Sequence, residues 1–310
     1  MQDVFDQPII KCNDLTVKYG NFVALDGFTV EIKPGCTGLL GPNGAGKTTF
    51  IKTMLGFVSP KSGSVWVLGH DAGRPNREMR QVVGLMPEQD CHIPGIPAVR
   101  FVAYAGELAG MPANEALRRA HEVIEYCGLG EARYRPVETF STGMKQRIKL
   151  AQALVHGPKV LLLDEPTNGL DPHGREAMLK LIRDISASRL VHVIICSHLL
   201  KDIERTCDQV VMIQRGRLVA DGLIADLIRL DGQPIDIELR EAVPAFNEAV
   251  ERFGGSILSH ESYHLRVTLP VPADRIATTL YGMAAETGAE IRLFAIARKS
   301  LEDAFLEAVH

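Results

Sequence analysis

Between residues 9 and 33 polar and apolar positions alternate, with β-branched residues in excess (IIKCNDLTVKYGNFVALDGFTVEI). That period of two predicts two or three antiparallel strands broken near Gly20-Asn21. The short apolar run TGLLG then ends in a glycine-rich turn, and from Lys47 the period lengthens to that of a helix, with Phe50, Met54 and Phe57 on one face. A strand from Ser64 to Leu68 follows Gly63, and RQVVGLMP over residues 80 to 87 predicts another buried strand. Pro94, Gly95 and Pro97 mark a loop before helices over about 99–110 and 113–127, the second carrying Leu117, Ala120, Ile124 and Cys127 on one face.

The strand–helix rhythm resumes with KVLLLDEP from Lys159, a helix over His173 to about Ser188, the strand LVHVIICSH, a short helix from Leu200 and the strand DQVVMIQRG. The first domain thus spans residues 1–230, with a helical insertion over about 90–157. Beyond Gly232-Gln233-Pro234 the pattern changes. IDIELR alternates strictly, a helix presents Val243, Phe246, Val250 and Phe253 on one face, YHLRVTL alternates again, and a helix over about 272–287 precedes the strand EIRLFAI and a last helix from Ser300. This β-α-β-β-α-β order predicts a small ferredoxin-like α+β domain over 231–310.

Composition narrows the function classes. With 34 Lys+Arg against 38 Asp+Glu the formal charge is −4, which gives no global attraction to nucleic acid. No apolar run reaches the length of a membrane-spanning helix, and the start MQDVFDQPII lacks the basic-then-apolar layout of a secretion signal, so a cytosolic protein is expected. The cysteines Cys12, Cys36, Cys91, Cys127, Cys196 and Cys207 show no metal-like spacing and read as buried reduced thiols. His260 and His264 flank a hairpin turn without an acidic or thiolate cluster and read as surface polar residues.

One segment carries chemistry outright. Gly41-Pro42-Asn43-Gly44-Ala45-Gly46-Lys47-Thr48-Thr49 satisfies GxxxxGK[ST] between a strand and a helix. Its glycines let backbone N–H groups converge on phosphate oxygens while the helix start aims its positive dipole end at the same point. Lys47 would reach the β- and γ-phosphates and the Thr48 hydroxyl would sit on Mg²⁺. The apolar strand Val160 to Leu163 delivers Asp164, placed to hold the magnesium through its water, and Glu165, placed to take a proton from the attacking water or to orient it. Because strand neighbours face opposite sides, the two carboxylates are expected to point apart. Ser141 and Gly143 open a helix with Met144, Ile148, Ala151 and Leu154 on its apolar face, a second anion site at a helix start.

Phe140-Ser141-Thr142-Gly143-Met144-Lys145-Gln146-Arg147 resembles the signature motif of the ATP-binding cassette (ABC) ATPases, in the form found in drug-export-type transporter subunits. The resemblance covers about residues 9–230, and Lys299 to Leu306 is similar to the C-terminal extension of the same subgroup. It implies an α/β P-loop cassette: a core sheet with N-terminal antiparallel strands and an inserted helical subdomain, followed here by the ferredoxin-like domain. It also implies an ATPase that dimerises head to tail around two MgATP, each Ser141–Gly143 site closing on the partner's γ-phosphate. Residue by residue, Tyr19 resembles the adenine-stacking aromatic, Asn168 to Asp171 the D-loop with Asp171 at its end, and His198 the switch histidine. Where the family presents a glutamine to the metal and to the permease, Glu88 stands here with Gln89 next, and the ligand is left between the two.

The implied activity is ATP hydrolysis that drives export through separate transmembrane permease subunits, at the cytoplasmic face of the membrane, with a second cassette, a homodimer partner, and no nucleic acid. The loop His92-Ile93-Pro94-Gly95-Ile96-Pro97 is equally suited to docking the permease or to packing on its own helices. The competing class, a soluble ABC-type ATPase of DNA repair or translation, ordinarily carries a long coiled coil or two cassettes, and this chain shows one cassette and no heptad run.

Overall fold

The alternating N-terminal stretch forms β1 (Ile10–Tyr19) and β2 (Phe22–Ile32), paired antiparallel from Ile10↔Ile32 to Tyr19↔Phe22, in a computed structural model that describes residues 7–73, 77–229, 234–297 and 299–309. β3 (Cys36–Leu40) is buried along its whole length, which is why TGLLG shows an apolar run and no alternation. It leads through the phosphate-loop motif into α1 (Lys47–Met54). β4 (Ser62–Val67) and β5 (His70–Asp71) join the first two strands in a sheet of order β2-β1-β4-β5.

Next come α2 (Arg77–Val82) and β6 (Val83–Met86), so the strand expected over residues 80–87 begins only at Val83, with Arg80 to Val82 ending a helix. The helices α3 (Ala98–Leu108), α4 (Ala113–Tyr126) and α5 (Thr142–Leu154) follow. β7 (Val160–Asp164), α6 (Pro172–Ala187), β8 (His192–Cys196), α7 (Leu200–Thr206) and β9 (Gln209–Gln214) alternate as expected. β10 (Arg217–Leu223), not anticipated from its mixed polarity, turns back antiparallel on β9 across Arg215-Gly216, and α8 (Ile224–Leu227) follows. The main sheet has the order β10-β9-β3-β8-β7-β6, and every pair from β9 to β6 is parallel.

The apolar residues of α1 tie the two sheets together. Phe50, Ile51 and Met54 share one core with Leu15, Phe28 and Val65 of the antiparallel sheet and with Leu162, Ile194 and Val211 of the parallel one. Phe28 and Phe50 meet edge to face with ring centroids 4.9 Å apart. Phe57, expected on the same helix face, lies past the helix end and is 61% exposed. Leu117 and Met144 are only half-buried on α4 and α5, where Ala116, Val123, Ile148 and Leu150 fill the interior instead. All cysteines but Cys91 are buried, and burial pushes the Cys12 and Cys127 thiols up to about 12.

The chain divides into a unit of Met1–Ile224 with Phe305–His310 and a unit of Ala225–Ala304. The turn read at Gly232-Gln233 and the boundary at 230 lie outside the described residues. The second unit contains β11 (Ile235–Leu239), α9 (Pro244–Arg252), β12 (Ser256–Glu261), β13 (His264–Thr268), α10 (Ile276–Thr287) and β14 (Ile291–Ile296); the last helix, α11 (Leu301–Val309), belongs to it only as far as Ala304. Its strands pair antiparallel in the order β12-β13-β11-β14, the arrangement a β-α-β-β-α-β chain makes when each helix crosses over a central strand. Phe246, Val250, Leu280 and Met283 cover the apolar side of this sheet, while Phe253, expected with them, ends the helix half-exposed. Among the described residues no helix is long and apolar enough to cross a membrane.

Because Phe50 lies at the junction of both sheets, Phe50→Ala is expected to destabilise the first unit by about 3–5 kcal/mol, read as a lower denaturation midpoint by chemical unfolding.

Candidate functional site

Parallel pairing sets which residues can meet. Leu39 is opposite Cys196, Asp164 is opposite Cys196 on the other side, and Met86 is opposite Leu163. Whatever follows β3, β6, β7 and β8 therefore emerges at one edge of the sheet. The segments that emerge are the phosphate loop, Glu88, Glu165 and His198. A cavity of 360 Å³ lies there, lined among others by Gly44, Lys47, Thr48, Glu88, Asp164 and His198.

The loop is shaped by close backbone approach. A Cβ on Gly41 would sit 2.2 Å from the Ile213 carbonyl oxygen, and Gly46, at φ 113°, caps α1 where a Cβ would lie 2.7 Å from the Ala24 carbonyl oxygen. Only glycine fits either place. The buried Lys47 ammonium donates to the carbonyls of Gly41 at 2.6 Å and Pro42 at 3.2 Å. These are neutral acceptors, which the charged oxygens of a phosphate can replace with stronger bonds. Asn43, Ala45, Gly46 and Thr49 also face the cavity.

Asp164 and Glu165 do not point apart. Glu165 lies one residue beyond β7 with φ 50°, a left-handed conformation rare for a side-chain-bearing residue, and its N–H donates to the Cys196 carbonyl at 2.9 Å. That turn breaks the strand alternation and brings both carboxylates into the same cavity. Glu165 Oε2 lies 3.0 Å from Nδ1 of the half-exposed His198. Asp164 is pushed up to about 6 by burial first and then by the negative charges of Glu88 and Glu165, with Lys47 and Lys52 acting the other way.

Glu88 lines the cavity and Gln89 does not, and the Asn168 amide donates to Glu88 Oε1 at 3.5 Å. Tyr19 is also absent from the lining, whereas its cross-strand neighbour Phe22, 63% exposed, is present with Ala24. The Asp171 carboxylate caps α6 by accepting from the Gly174 N–H at 2.7 Å, outside this cavity. Ser141 caps α5, accepting from the Met144 N–H at 3.4 Å, and lines with Gly143 and Arg147 a separate surface pocket of 320 Å³. The two anion sites expected from the sequence thus occupy different places on one chain.

Sequence reasoning missed Phe22, for which an exposed aromatic just after the Gly20-Asn21 turn was the available signal. It also missed the buried Asp202, which accepts from Thr167 Oγ1 at 2.8 Å and from Arg175 Nε at 2.7 Å. Asp202 so ties the segment after Glu165 to the helix after His198. No spacing in the sequence announces that pairing, since its partners lie 35 and 27 residues away.

The ABC transporter family model matches residues 25–168. The chain is 35% identical over 243 residues to the linearmycin resistance ATP-binding protein LnrL of Bacillus subtilis (strain 168), covering 78% of this chain and 77% of that protein. It is 31% identical over 303 residues to the bacitracin transport ATP-binding protein BcrA of Bacillus licheniformis, covering 97% of each. Among solved structures it resembles cbiO1 from Clostridium perfringens, part of the ABC transporter complex cbiONQ, with TM-score 0.65 and 27% identity over 72% of this chain and 91% of that one.

The charge at Asp164 has a thermodynamic signature. Its carboxyl titrates at about 6 in the fold against 3.8 ordinarily, so folding disfavours the ionised form. The penalty is absent below 3.8, grows through the interval and is complete above about 6. Without nucleotide or divalent cations, Asp164→Asn is expected to raise the thermal unfolding midpoint by roughly 2–4 °C at about pH 8, and to give no gain at about pH 4.

Proposed function

The chain belongs to the ABC transporter family of ATP-binding subunits, and from that premise we propose that it is the motor of a drug-export-type transporter. It is an ATPase that binds ATP and hydrolyses it to ADP and phosphate. In the proposed assembly two copies close around two ATP molecules and drive separate permease subunits at the cytoplasmic face of the membrane. The observation that carries the reading is the split chemistry: Lys47, Thr48, Asp164, Glu165 and His198 share one cavity, while Ser141 and Gly143 line another. The names of the linearmycin resistance and bacitracin transport relatives support export of an antibiotic-like cargo. The loop His92 to Pro97, with Ile93 exposed, is the proposed contact with the permease.

Hydrolysis is then a matter of positioning and charge stabilisation. Lys47 and the loop amides hold the β- and γ-phosphates. Glu165 accepts a proton from the attacking water or orients it, and His198, hydrogen-bonded to Glu165, fixes the carboxylate's direction and reaches toward the γ-phosphate. Ser141 and Gly143 of the second copy close the far side of that phosphate, with Asp171 near the junction. Phe22 and Tyr19, at one end of the β1–β2 hairpin, offer the ring face for adenine.

The residues fit Mg²⁺. Thr48, Asp164 and Glu88 bring hard oxygen donors to one cavity, and after burial it is repulsion from Glu88 and Glu165 that raises Asp164, a charge excess a cation relieves. When bound, the ion neutralises the phosphate oxygens and adds its charge to that of Lys47. Glu88 is preferred over Gln89 as the ligand because only Glu88 faces the cavity.

Glu165→Gln is expected to lower ATP turnover by about a hundredfold while leaving ATP binding intact, and to trap a dimer when ATP is added. Near-normal turnover in steady-state assays removes Glu165 from this role, and an absence of pairing by light scattering or on the permease removes the dimer. Lys47→Ala is expected to weaken ATP binding by about tenfold or more, as one charge-assisted bond to phosphate is lost. Unweakened binding by calorimetry contradicts the assignment of Lys47 to the phosphates.

A further inference from the structure

Among the described residues β6 is the edge strand of the parallel sheet, paired with β7 alone. Alternate carbonyls of a strand point to the same edge, so Val83, Leu85 and Pro87 can turn theirs away from β7 together. All three are capped from one side of α5 and the turn that follows it. His156 Nε2 lies 3.1 Å from the Val83 oxygen and Gln152 Nε2 donates to the Leu85 oxygen at 2.7 Å. Lys149 Nζ donates to the Pro87 oxygen at 3.0 Å and to the Glu88 oxygen at 2.7 Å.

The match is geometric. Residues 149, 152 and 156 form one stripe along α5 and the turn after it, running opposite to β6. Three or four helical residues rise about 4.5–6 Å, close to the two-residue repeat of about 6.6 Å in a strand, and the long lysine arm covers the remainder. Helix and strand also touch backbone to backbone, since a Cβ on Gly84 would sit 2.2 Å from the Ala153 carbonyl oxygen. The Lys149 side chain is only 4% exposed, with Asp90 Oδ1 3.9 Å from its ammonium. A charge buried so deeply is tolerated because carbonyl oxygens and a carboxylate surround it.

The same helix begins at the Ser141 cap, and its Gln146 donates to the Asn168 oxygen at 3.0 Å. Asn168 in turn donates to the Glu88 carboxylate. We infer that α5 and the β6–Glu88 segment move as one body, with Lys149 the positioning residue that locks Glu88 to the helix whose start engages the partner's phosphate. The inference rests on the proposed split site. It adds a route of about 12 Å along one helix from the Ser141 end to the Lys149 rung, by which closure on one nucleotide is transmitted to the metal side of the other.

The test is steady-state hydrolysis of MgATP by the full chain, with ATP affinity measured separately in the Glu165→Gln background. Lys149→Met keeps the side-chain length and drops its donors, and is expected to lower kcat by about tenfold with ATP affinity within about twofold of wild type. Lys149→Arg, which keeps donors for both carbonyls, is expected to restore most of kcat. An unchanged kcat in Lys149→Met, an equal loss of ATP affinity, or no recovery with Lys149→Arg overturns the inference. Should Lys149→Met fail to fold, Gln152→Met removes the next rung and is expected to lower kcat about threefold at unchanged affinity, with full activity there overturning the inference as well. A wild-type chain that hydrolyses no ATP sinks the ATPase reading itself, and the inference with it. An active wild type beside an equally active Lys149→Met sinks the lock alone.

Discussion

Parallel pairing of β3, β8, β7 and β6 is the constraint from which the site follows. A parallel strand must re-enter the sheet from the same end, so every loop that leaves a carboxyl end lands on one edge. Four loops from distant parts of the chain thereby converge without any of them being long. The register does the fine placement: Cys196 is opposite both Leu39 and Asp164, which sets the phosphate loop, the acidic pair and His198 around one point. The antiparallel sheet supports this arrangement from behind α1, through the Phe28–Phe50 contact.

The cavity so formed is electrostatically unbalanced. Asp164, Glu165 and Glu88 face it together with the buried Lys47, and the carboxyl of Asp164 rises to about 6, first through its burial and then through the neighbouring negative charges. Stability is spent here, together with the left-handed backbone at Glu165, and in the proposed assignment the binding of ATP and a divalent cation recovers it. Lys47 is held meanwhile by the Gly41 and Pro42 carbonyls, weak acceptors that it would exchange for phosphate oxygens in the proposed assignment.

α5 has two tasks on two parts of its surface. Its start, capped by Ser141, presents backbone to a second pocket, while its inward stripe of buried Gln146 and Lys149 and half-buried Gln152 holds the backbone of β6, Glu88 and Asn168. Polar residues on the inner face of a helix would ordinarily weaken a core. Here Lys149 and Gln152 satisfy the open edge of a sheet, which is otherwise a row of unpaired carbonyls. The helical segment is thus bound to the sheet by hydrogen bonds with direction, not by apolar contact alone.

Elements whose cause is local were legible in the chain: the alternation of β1 and β2, the apolar run of β7, the phosphate loop from its glycine spacing, and the β-α-β-β-α-β order of the second unit. Misreadings occurred where the cause is not local. Arg80 to Val82 extend a helix because α2 and β6 abut without a turn signal, and β10 pairs with β9 although its residues are mixed in polarity. Residue types, their order and their spacing are enough to propose a phosphate loop and a second anion site, since that reading uses backbone freedom and side-chain chemistry alone. That Glu165 turns into the cavity, that Phe22 and Glu88 face it while Tyr19 and Gln89 do not, and that Lys149 reaches the Glu88 carbonyl were decided by the tertiary structure. Each depends on a distance between residues far apart in the chain, which only strand register and helix packing set.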